Sequence, residues 1–140
     1  MAARNTKITY EIDCRNLWRG IDLEDSYEIE SNGRRGHGSQ FESDVDATKN
    51  VIWELENVGI NRRAFKLEIL KIDFGNNPHP FNQNPLKPRG RNKNIIKRRV
   101  KNTSEDYDTK YDIEFKLTKL RSGRSQKYTI DPRLKIRRIR

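Results

Sequence analysis

The residues best suited to chemistry in this sequence are the cations between positions 87 and 101. This stretch contains eight lysines and arginines and no acidic residue, namely Lys87, Arg89, Arg91, Lys93, Lys97, Arg98, Arg99 and Lys101. Such side chains can follow a phosphate backbone, and binding of that kind weakens steeply as the salt concentration rises. Stacking of single-stranded bases needs aromatic rings, and the stretch has none. We therefore predict a polyanion-binding surface without sequence-specific readout.

Two further groups of basic residues would extend this surface. The glycine-rich stretch from Gly33 to Gly38 contains Arg34 and Arg35, and its backbone N–H groups and guanidinium forks are suited to hold a phosphate. A flexible hairpin tip is the more common meaning of such a stretch. The tail from position 133 to 140 includes Arg137 and Arg138 and continues the same charge. Nucleic acid or an acidic protein surface is the partner that these groups predict.

Catalytic and metal chemistry have weaker support in the sequence. His37 and His79 would be the acid and base of a ribonuclease-like site, but they lie in separate predicted loops. Asp44 and Asp46 supply few of the 6–8 oxygen ligands that calcium takes. Cys14 falls on the apolar side of a predicted strand, as a small buried hydrophobic residue does. We predict a protein that is not an enzyme and has no catalytic residue, metal or cofactor.

The charge of the chain is unevenly distributed. The net charge is +10, from 30 basic and 20 acidic residues. Residues 1–60 carry 7 basic and 12 acidic side chains, residues 61–105 carry 12 and 3, and residues 106–140 carry 11 and 5. This asymmetry predicts either a polyanionic partner or a head-to-tail contact between copies. The alternative is a solvated surface that keeps a basic protein soluble.

The elements that must position these residues are predicted to be strands. Alternation of apolar and polar residues is clearest in the last third, where one face carries Tyr111, Ile113, Phe115 and Leu117. The alternation resumes after a Gly/Ser-containing link, which is the pattern of a β-hairpin. Pro132 has no N–H to donate, so the second strand is predicted to be an edge strand or to bend there.

Four other segments are predicted to be extended. A first strand covers positions 7–14, and a second covers 49–59 with Trp53 facing inward. In the segment 64–74 the apolar phase switches after Ile69, which indicates a bulge. Ile95, Ile96 and Val100 are predicted to tie the end of the basic stretch to the sheet as another strand. Residues 75–94 contain four of the five prolines and form a long irregular connection within a single domain, 1–140.

Composition narrows the class of protein. Only 32% of the residues are hydrophobic and 36% are charged, which approaches the composition of disordered chains. The alternating segments instead predict a thin all-β sandwich. The one cysteine excludes an intrachain disulfide, and no apolar run reaches the roughly 20 residues of a membrane span. With no signal-peptide core at the N-terminus, we expect a cytoplasmic protein that does not bind membranes.

The order of these segments carries a family resemblance. In order, the chain has a strand with an inward Trp53, then Phe65-Lys-Leu, Pro80-Phe81, Tyr111-Asp-Ile-Glu-Phe and a closing Ile130-Asp-Pro-Arg-Leu-Lys-Ile. Over about residues 45–137 this order resembles that of the small bacterial cupredoxin-like β-sandwich proteins. The resemblance implies an immunoglobulin-like or cupredoxin-like sandwich of about seven strands. It does not imply copper, because a blue-copper site needs two His, a Cys and usually a Met that converge at one end.

Two functions follow from these observations. The first is a non-catalytic binding or assembly module whose basic loop and C-terminal tail engage nucleic acid or another polyanion. The alternative is a protein–protein interaction module or structural subunit whose basic face docks on an acidic partner or on its own acidic N-terminal half, and a homo-oligomer is among the partners that this predicts.

Overall fold

A computed structural model describes residues 3–38 and 41–138 and confirms the all-β class. Within these residues there are eleven strands. The chain also forms one short helix, α1 (Cys14–Trp18), and 3-10 turns at Leu23–Asp25 and Arg62–Ala64. The strands are β1 (Thr6–Ile12), β2 (Tyr27–Ser31), β3 (Arg34–Gly36), β4 (Glu42–Asp46), β5 (Asn50–Asn57), β6 (Phe65–Asp73), β7 (Ile95–Arg99), β8 (Tyr107–Lys110), β9 (Asp112–Lys119), β10 (Arg124–Ile130) and β11 (Arg133–Arg137).

The strands form one five-stranded and two three-stranded sheets. The larger sheet has the order β3-β2-β1-β5-β7, in which only β1 and β5 are parallel. The smaller sheets are β10-β9-β6 and β4-β11-β8. The described strands outnumber the roughly seven that the family resemblance implied. Strand β3 has only three residues, and the inward residues of β4 are Ser43 and Val45, so neither shows an apolar alternation in the sequence.

The predicted C-terminal hairpin is present and is bent in the middle. Strands β8 and β9 are separated by Tyr111, and β10 and β11 by residues 131–132, so the two arms pass together from one small sheet to the other. The N–H of Tyr111 donates to the carbonyl of Pro132 across the bend, at 3.2 Å. The bend predicted at Pro132 is confirmed, and β10 is an edge strand of its sheet.

The predicted bulge lies in β6. The pairing of β6 with β9 is regular up to Ile69 and then shifts, so that Lys71 lies opposite Glu114 and Leu70 is the extra residue. Because of this shift, Ile69 before the bulge and Ile72 after it are both buried. The extra residue keeps apolar side chains on the core side along the whole strand.

A hydrogen-bonded group of three aromatic residues lies at the centre of the core. The hydroxyl of Tyr111 is 2.5 Å from the hydroxyl of Tyr10, and Nε1 of Trp53 donates to Tyr111 at 3.1 Å. The inward position predicted for Trp53 is confirmed, since its exposed fraction is 0%. Burial raises the pKa of both tyrosines. The bonds join the five-stranded sheet to the bend of the C-terminal hairpin and satisfy these buried polar groups.

The prediction of Cys14 as part of the first strand is wrong. Strand β1 ends at Ile12, and the carboxylate of Asp13 accepts a hydrogen bond from the N–H of Asn16, at 3.1 Å. This is an N-cap, and it starts α1 at Cys14. The thiol is buried as expected, and burial raises its pKa to about 12.

The long connection between β6 and β7 is irregular but packed against the sandwich. Leu86 is buried and exchanges two backbone hydrogen bonds of 2.8 Å with Ile72. The side chain of Asn84 accepts from the N–H of Phe74 at 2.9 Å and donates to the carbonyl of Gly75 at 3.1 Å. These contacts hold the connection in place, and the cations that follow it are therefore presented from an anchored backbone.

Candidate polyanion-binding surface

The cations of residues 87–101, hereafter the basic segment, run from the end of the anchored connection along β7. Seven of the eight side chains are exposed and the eighth, Arg98, is half-buried. None of the eight forms an ion pair with a carboxylate in the described part of the chain. The segment therefore projects positive charge that the fold leaves uncompensated.

Strand β7 divides its cations between two faces. It is an edge strand of the five-stranded sheet, and its residues alternate. Ile96 and Arg98 lie opposite Trp53 and Val51, so they share the core-facing side. Lys97, like Arg99, is exposed on the opposite side. Neighbouring arginines on this strand thus occupy different environments.

The guanidinium of Arg98 is held by main-chain oxygens. Nη1 donates to the carbonyl of Lys97 at 2.9 Å, and Nη2 donates to that of Lys87 at 2.5 Å. Its Nε is buried and has no hydrogen-bond partner among the described residues. Burial and then the positive charge of Arg89 lower the pKa of Arg98. The two guanidinium groups are therefore close enough to repel each other.

The side chain of Arg98 lines a shallow cleft with a volume of about 600 Å³. Its basic walls are Lys87, Arg89 and Arg98, and its other walls come from the connection, at Asn82, Gln83, Asn84, Pro85 and Pro88. Nη2 of Arg89 is 3.4 Å from Oε1 of Gln83. Side-chain amides can donate or accept hydrogen bonds, but in the sequence Asn82, Gln83 and Asn84 are only part of an asparagine-rich loop. Sequence reasoning missed them because their neighbours are set by the path of the connection.

The predicted site residues Arg34 and Arg35 lie elsewhere. They belong to β3, which is the opposite edge of the five-stranded sheet from β7, about 19 Å away at four strand spacings. Arg35 forms ion pairs with Glu11 at 2.5 Å and with Glu28 at 3.0 Å. The guanidinium of Arg34 lies 6.0 Å from the ring centroid of Phe41. The fold does not bring these two arginines to the basic segment.

The described part of the tail is partly neutralised. Arg137 pairs with Asp44 at 2.9 Å. The N–H of Arg138 donates to Asp106 at 2.8 Å, and its guanidinium reaches the carbonyl of Ser104 at 3.3 Å. The tail cation at position 140 lies outside the described residues.

The two histidines occupy separate surroundings. His37 Nε2 is 4.0 Å from a carboxylate oxygen of Glu24. His79 stacks on Phe74, and its Nδ1 accepts from the N–H of Phe81 at 3.3 Å. Burial, followed by the charge of Lys101, lowers the pKa of His79. Within residues 3–38 and 41–138 no contact joins the two, and no group of three or more His, Cys, Asp or Glu side chains is placed to hold a metal.

The outer face of the five-stranded sheet has the opposite charge. Its central strands place five glutamates away from the core, at Glu11, Glu28, Glu30, Glu54 and Glu56. Arg35 neutralises two of them, and Lys7 pairs with Glu54 at 3.1 Å. Glu56 is exposed and has no ion pair in the described residues. Five of the twelve acidic residues in positions 1–60 thus share one sheet face.

Comparison with known proteins identifies a fold relative only. No family model and no curated protein sequence matches the chain. Among solved structures, the chain is similar to the inclusion body protein PixA from Burkholderia cenocepacia J2315, with a TM-score of 0.59 and 9% sequence identity. The match covers 99% of this chain and 98% of that one. Among the described residues, no helix is long and apolar enough to cross a membrane.

Proposed function

We propose that this protein is a non-catalytic binding module whose basic segment engages nucleic acid or another polyanion. The observation that carries the proposal is the lack of any carboxylate partner, in the described chain, for the eight cations of this segment. Arg35 and Arg137, which the sequence grouped with them, already have acidic partners. The proposed surface is therefore narrower than the sequence alone suggested.

The physical argument rests on uncompensated charge. Cations that already pair with carboxylates gain little from a further anion, because the exchange replaces one favourable contact with another. Exposed cations without partners displace the counterions condensed on a nucleic acid when they meet its phosphates, and the release of these counterions drives binding. Phosphate contacts position a protein on a nucleic acid, whereas base contacts specify a sequence. We therefore expect binding that depends on charge and salt and only weakly on sequence.

The test neutralises part of the basic segment. Replacing Arg89, Arg91, Lys97, Arg98 and Arg99 by Gln should weaken binding to a mixed oligonucleotide pool uniformly across sequences. It should also flatten the salt dependence by up to about one slope unit per lost phosphate contact. Filter binding at several salt concentrations measures both effects.

A control variant should carry the same change of charge at another site. Suitable exposed cations are Arg62, Arg63, Arg121, Arg124 and Lys127. If both variants lose the same affinity and slope, net charge alone is responsible and the basic segment is not the binding surface. If neither loses any, the proposed function is wrong.

A second candidate function is a structural subunit that assembles from copies of itself. The observation that favours it is the glutamate-rich outer face of the five-stranded sheet, which complements the basic segment in sign. The protein whose fold is similar is described as an inclusion body protein. In this function the basic segment of one copy docks on the acidic face of the next. Such a head-to-tail contact is heterologous and extends into larger assemblies unless it closes.

A further inference from the structure

We propose that the cleft lined by Lys87, Arg89 and Arg98 is a discrete binding site for a phosphoryl group. The inference rests on the proposed function and names the place where one phosphate of the polyanion is held. The other cations of the basic segment, such as Lys97 and Arg99, would then act through their charge and without a defined geometry.

The first argument is the repulsion between two arginines that line the same cleft. Arg89 and Arg98 line the same cleft, and burial followed by the positive charge of Arg89 lowers the pKa of Arg98. Like charges that share a partly buried site repel each other, and a nearby anion relieves that repulsion. In the part of the chain that the structure describes, neither arginine has a carboxylate to provide this relief. An anion from solution is the remaining way to balance the pair.

The second argument is preorganisation. The two hydrogen bonds from Arg98 to main-chain carbonyls leave one N–H on each terminal nitrogen unassigned, whereas its Nε is buried. The guanidinium of Arg98 is therefore held in place and still has N–H groups that can donate to a ligand. The carbonyl of Lys87 that Arg98 contacts belongs to a residue of the cleft wall, and the side chain of Arg89 contacts Gln83, another wall residue. A site whose donors are already ordered loses less entropy when a ligand binds.

The third argument concerns the chemical class of the ligand. Arginine forks match planar carboxylates and tetrahedral phosphates alike, and lysine binds phosphate as a point charge. A phosphoryl group presents more acceptor oxygens than a carboxylate does. It can meet three cations that come from two different elements, the end of the connection and β7. The amides of Asn82 and Gln83 provide further donors at the rim.

The test compares cations inside the cleft with cations beside it. The cleft variants are Arg98→Gln, and Lys87→Gln combined with Arg89→Gln. The control for the double change is Lys97→Gln combined with Arg99→Gln, which removes the same charge from the outward face of β7. Arg99→Gln alone is the control for Arg98→Gln, because it is the adjacent residue on the same strand.

Three probes are titrated calorimetrically at about 150 mM salt, where the Debye length is about 8 Å. They are inorganic pyrophosphate, a short mixed-sequence oligonucleotide and polyglutamate. We expect the oligonucleotide to bind the wild type, the cleft variants to lose about tenfold or more in affinity, and the controls to lose about threefold or less. Pyrophosphate that competes with the oligonucleotide would show that the site takes phosphoryl groups from either source. If the oligonucleotide binds and pyrophosphate does not, the site is specific for the phosphates of a nucleic-acid backbone.

The remaining outcomes overturn a defined part of the proposal. If the cleft and control variants lose the same affinity for the oligonucleotide, binding depends on the overall positive charge and the cleft is not a discrete site. The proposed function would then stand. Polyglutamate that binds as tightly as the oligonucleotide would remove the phosphoryl assignment. A wild type that binds none of the probes would overturn the site and the proposed function together. If Arg98→Gln fails to fold, the exposed Lys87 and Arg89 pair still decides the question.

Discussion

At the scale of single residues, Tyr111 connects the parts of the core. Its hydroxyl lies between Tyr10 and Trp53, and its backbone N–H closes the bend of the C-terminal hairpin. The alternating pattern predicted an apolar, inward position for it, and its exposed fraction of 2% confirms this. The hydrogen bonds could not be predicted, because their partners come from strands 101 and 58 residues away.

Tyr111→Phe tests this polar group. The change leaves the ring in place but deprives the Tyr10 hydroxyl and the Trp53 N–H of their partner. We expect a loss of about 1–3 kcal/mol in the free energy of unfolding, the usual cost of an unsatisfied buried polar group. Urea denaturation measures it. Tyr107→Phe is the control, since Tyr107 is half-buried and its change should stay within about 0.5 kcal/mol. Equal midpoints for the two variants would contradict the role of Tyr111.

Cys14 gives a second residue-scale prediction. Its thiol is buried at the start of α1, and burial followed by the charge of Asp13 raises its pKa to about 12 from the ordinary 9.0. The reactive thiolate is therefore scarce in the folded state below that pH and forms more readily once the chain unfolds. At pH 8 a thiol reagent should label the native protein slowly and the urea-unfolded protein quickly. Similar rates in both states would show that the thiol is accessible.

At the scale of elements, the bulge in β6 shows how one residue sets a register. Residues before Leu70 and after it face the core only because the pairing with β9 shifts at that point. Period-2 alternation is strict, so removing one residue from a regular strand moves the rest of it to the other face, whereas removing the extra residue of a bulge restores regular pairing. The phase switch could be seen in the sequence, since apolar side chains change parity there.

Deleting Leu70 should therefore destabilise the protein far less than deleting Glu54 from β5, whose pairing has no register shift. Without Leu70, Lys71 stays opposite Glu114, so the pairing of β6 becomes regular and Ile72 still faces the core. Without Glu54, the buried side chains on one side of the deletion must turn toward solvent, and each large side chain that does so costs about 1.5–3 kcal/mol. Thermal unfolding followed by circular dichroism measures both variants, and equal losses for the two deletions would refute the register of β6.

At the scale of the whole molecule, the fold separates the charges that the sequence already distributes unevenly. Five of the twelve acidic residues in positions 1–60 lie on the outer face of the five-stranded sheet, and β7, which carries part of the basic segment, is an edge strand of the same sheet. The second candidate function depends on contact between these two surfaces in different copies. Such a contact weakens with salt, because exposed charges are screened.

Sedimentation at low and high salt tests this contact. If copies dock head to tail, the mass of the wild type should rise with protein concentration at low salt. Glu54→Gln combined with Glu56→Gln should reduce the rise, because it removes two charges from the acidic face. The control is Glu105→Gln with Asp108→Asn, exposed acids outside that face. A monomer at every concentration and salt would rule out assembly through these surfaces.

Much of the local structure was determined by the sequence itself. The alternation of residues 111–118 predicted a strand with one buried face, and the parity change after Ile69 predicted the bulge. Pro132 predicted the bend. These features follow from geometry that repeats every two residues and from the missing N–H of proline, so they need no knowledge of distant partners. Short strands such as β3 were missed because three residues contain too little of the period.

Only the tertiary structure decided which cations remain without partners. Arg35 and Glu11 are 24 residues apart, and Arg137 and Asp44 are 93 apart, yet both pairs are in contact. Arg98 and Arg99 are adjacent in sequence, but the pleat directs Arg98 into the cleft beside Lys87 and Arg99 to solvent. Local patterns specify which way a side chain faces along its own strand. They do not specify the order of the strands, and that order determines which charges meet.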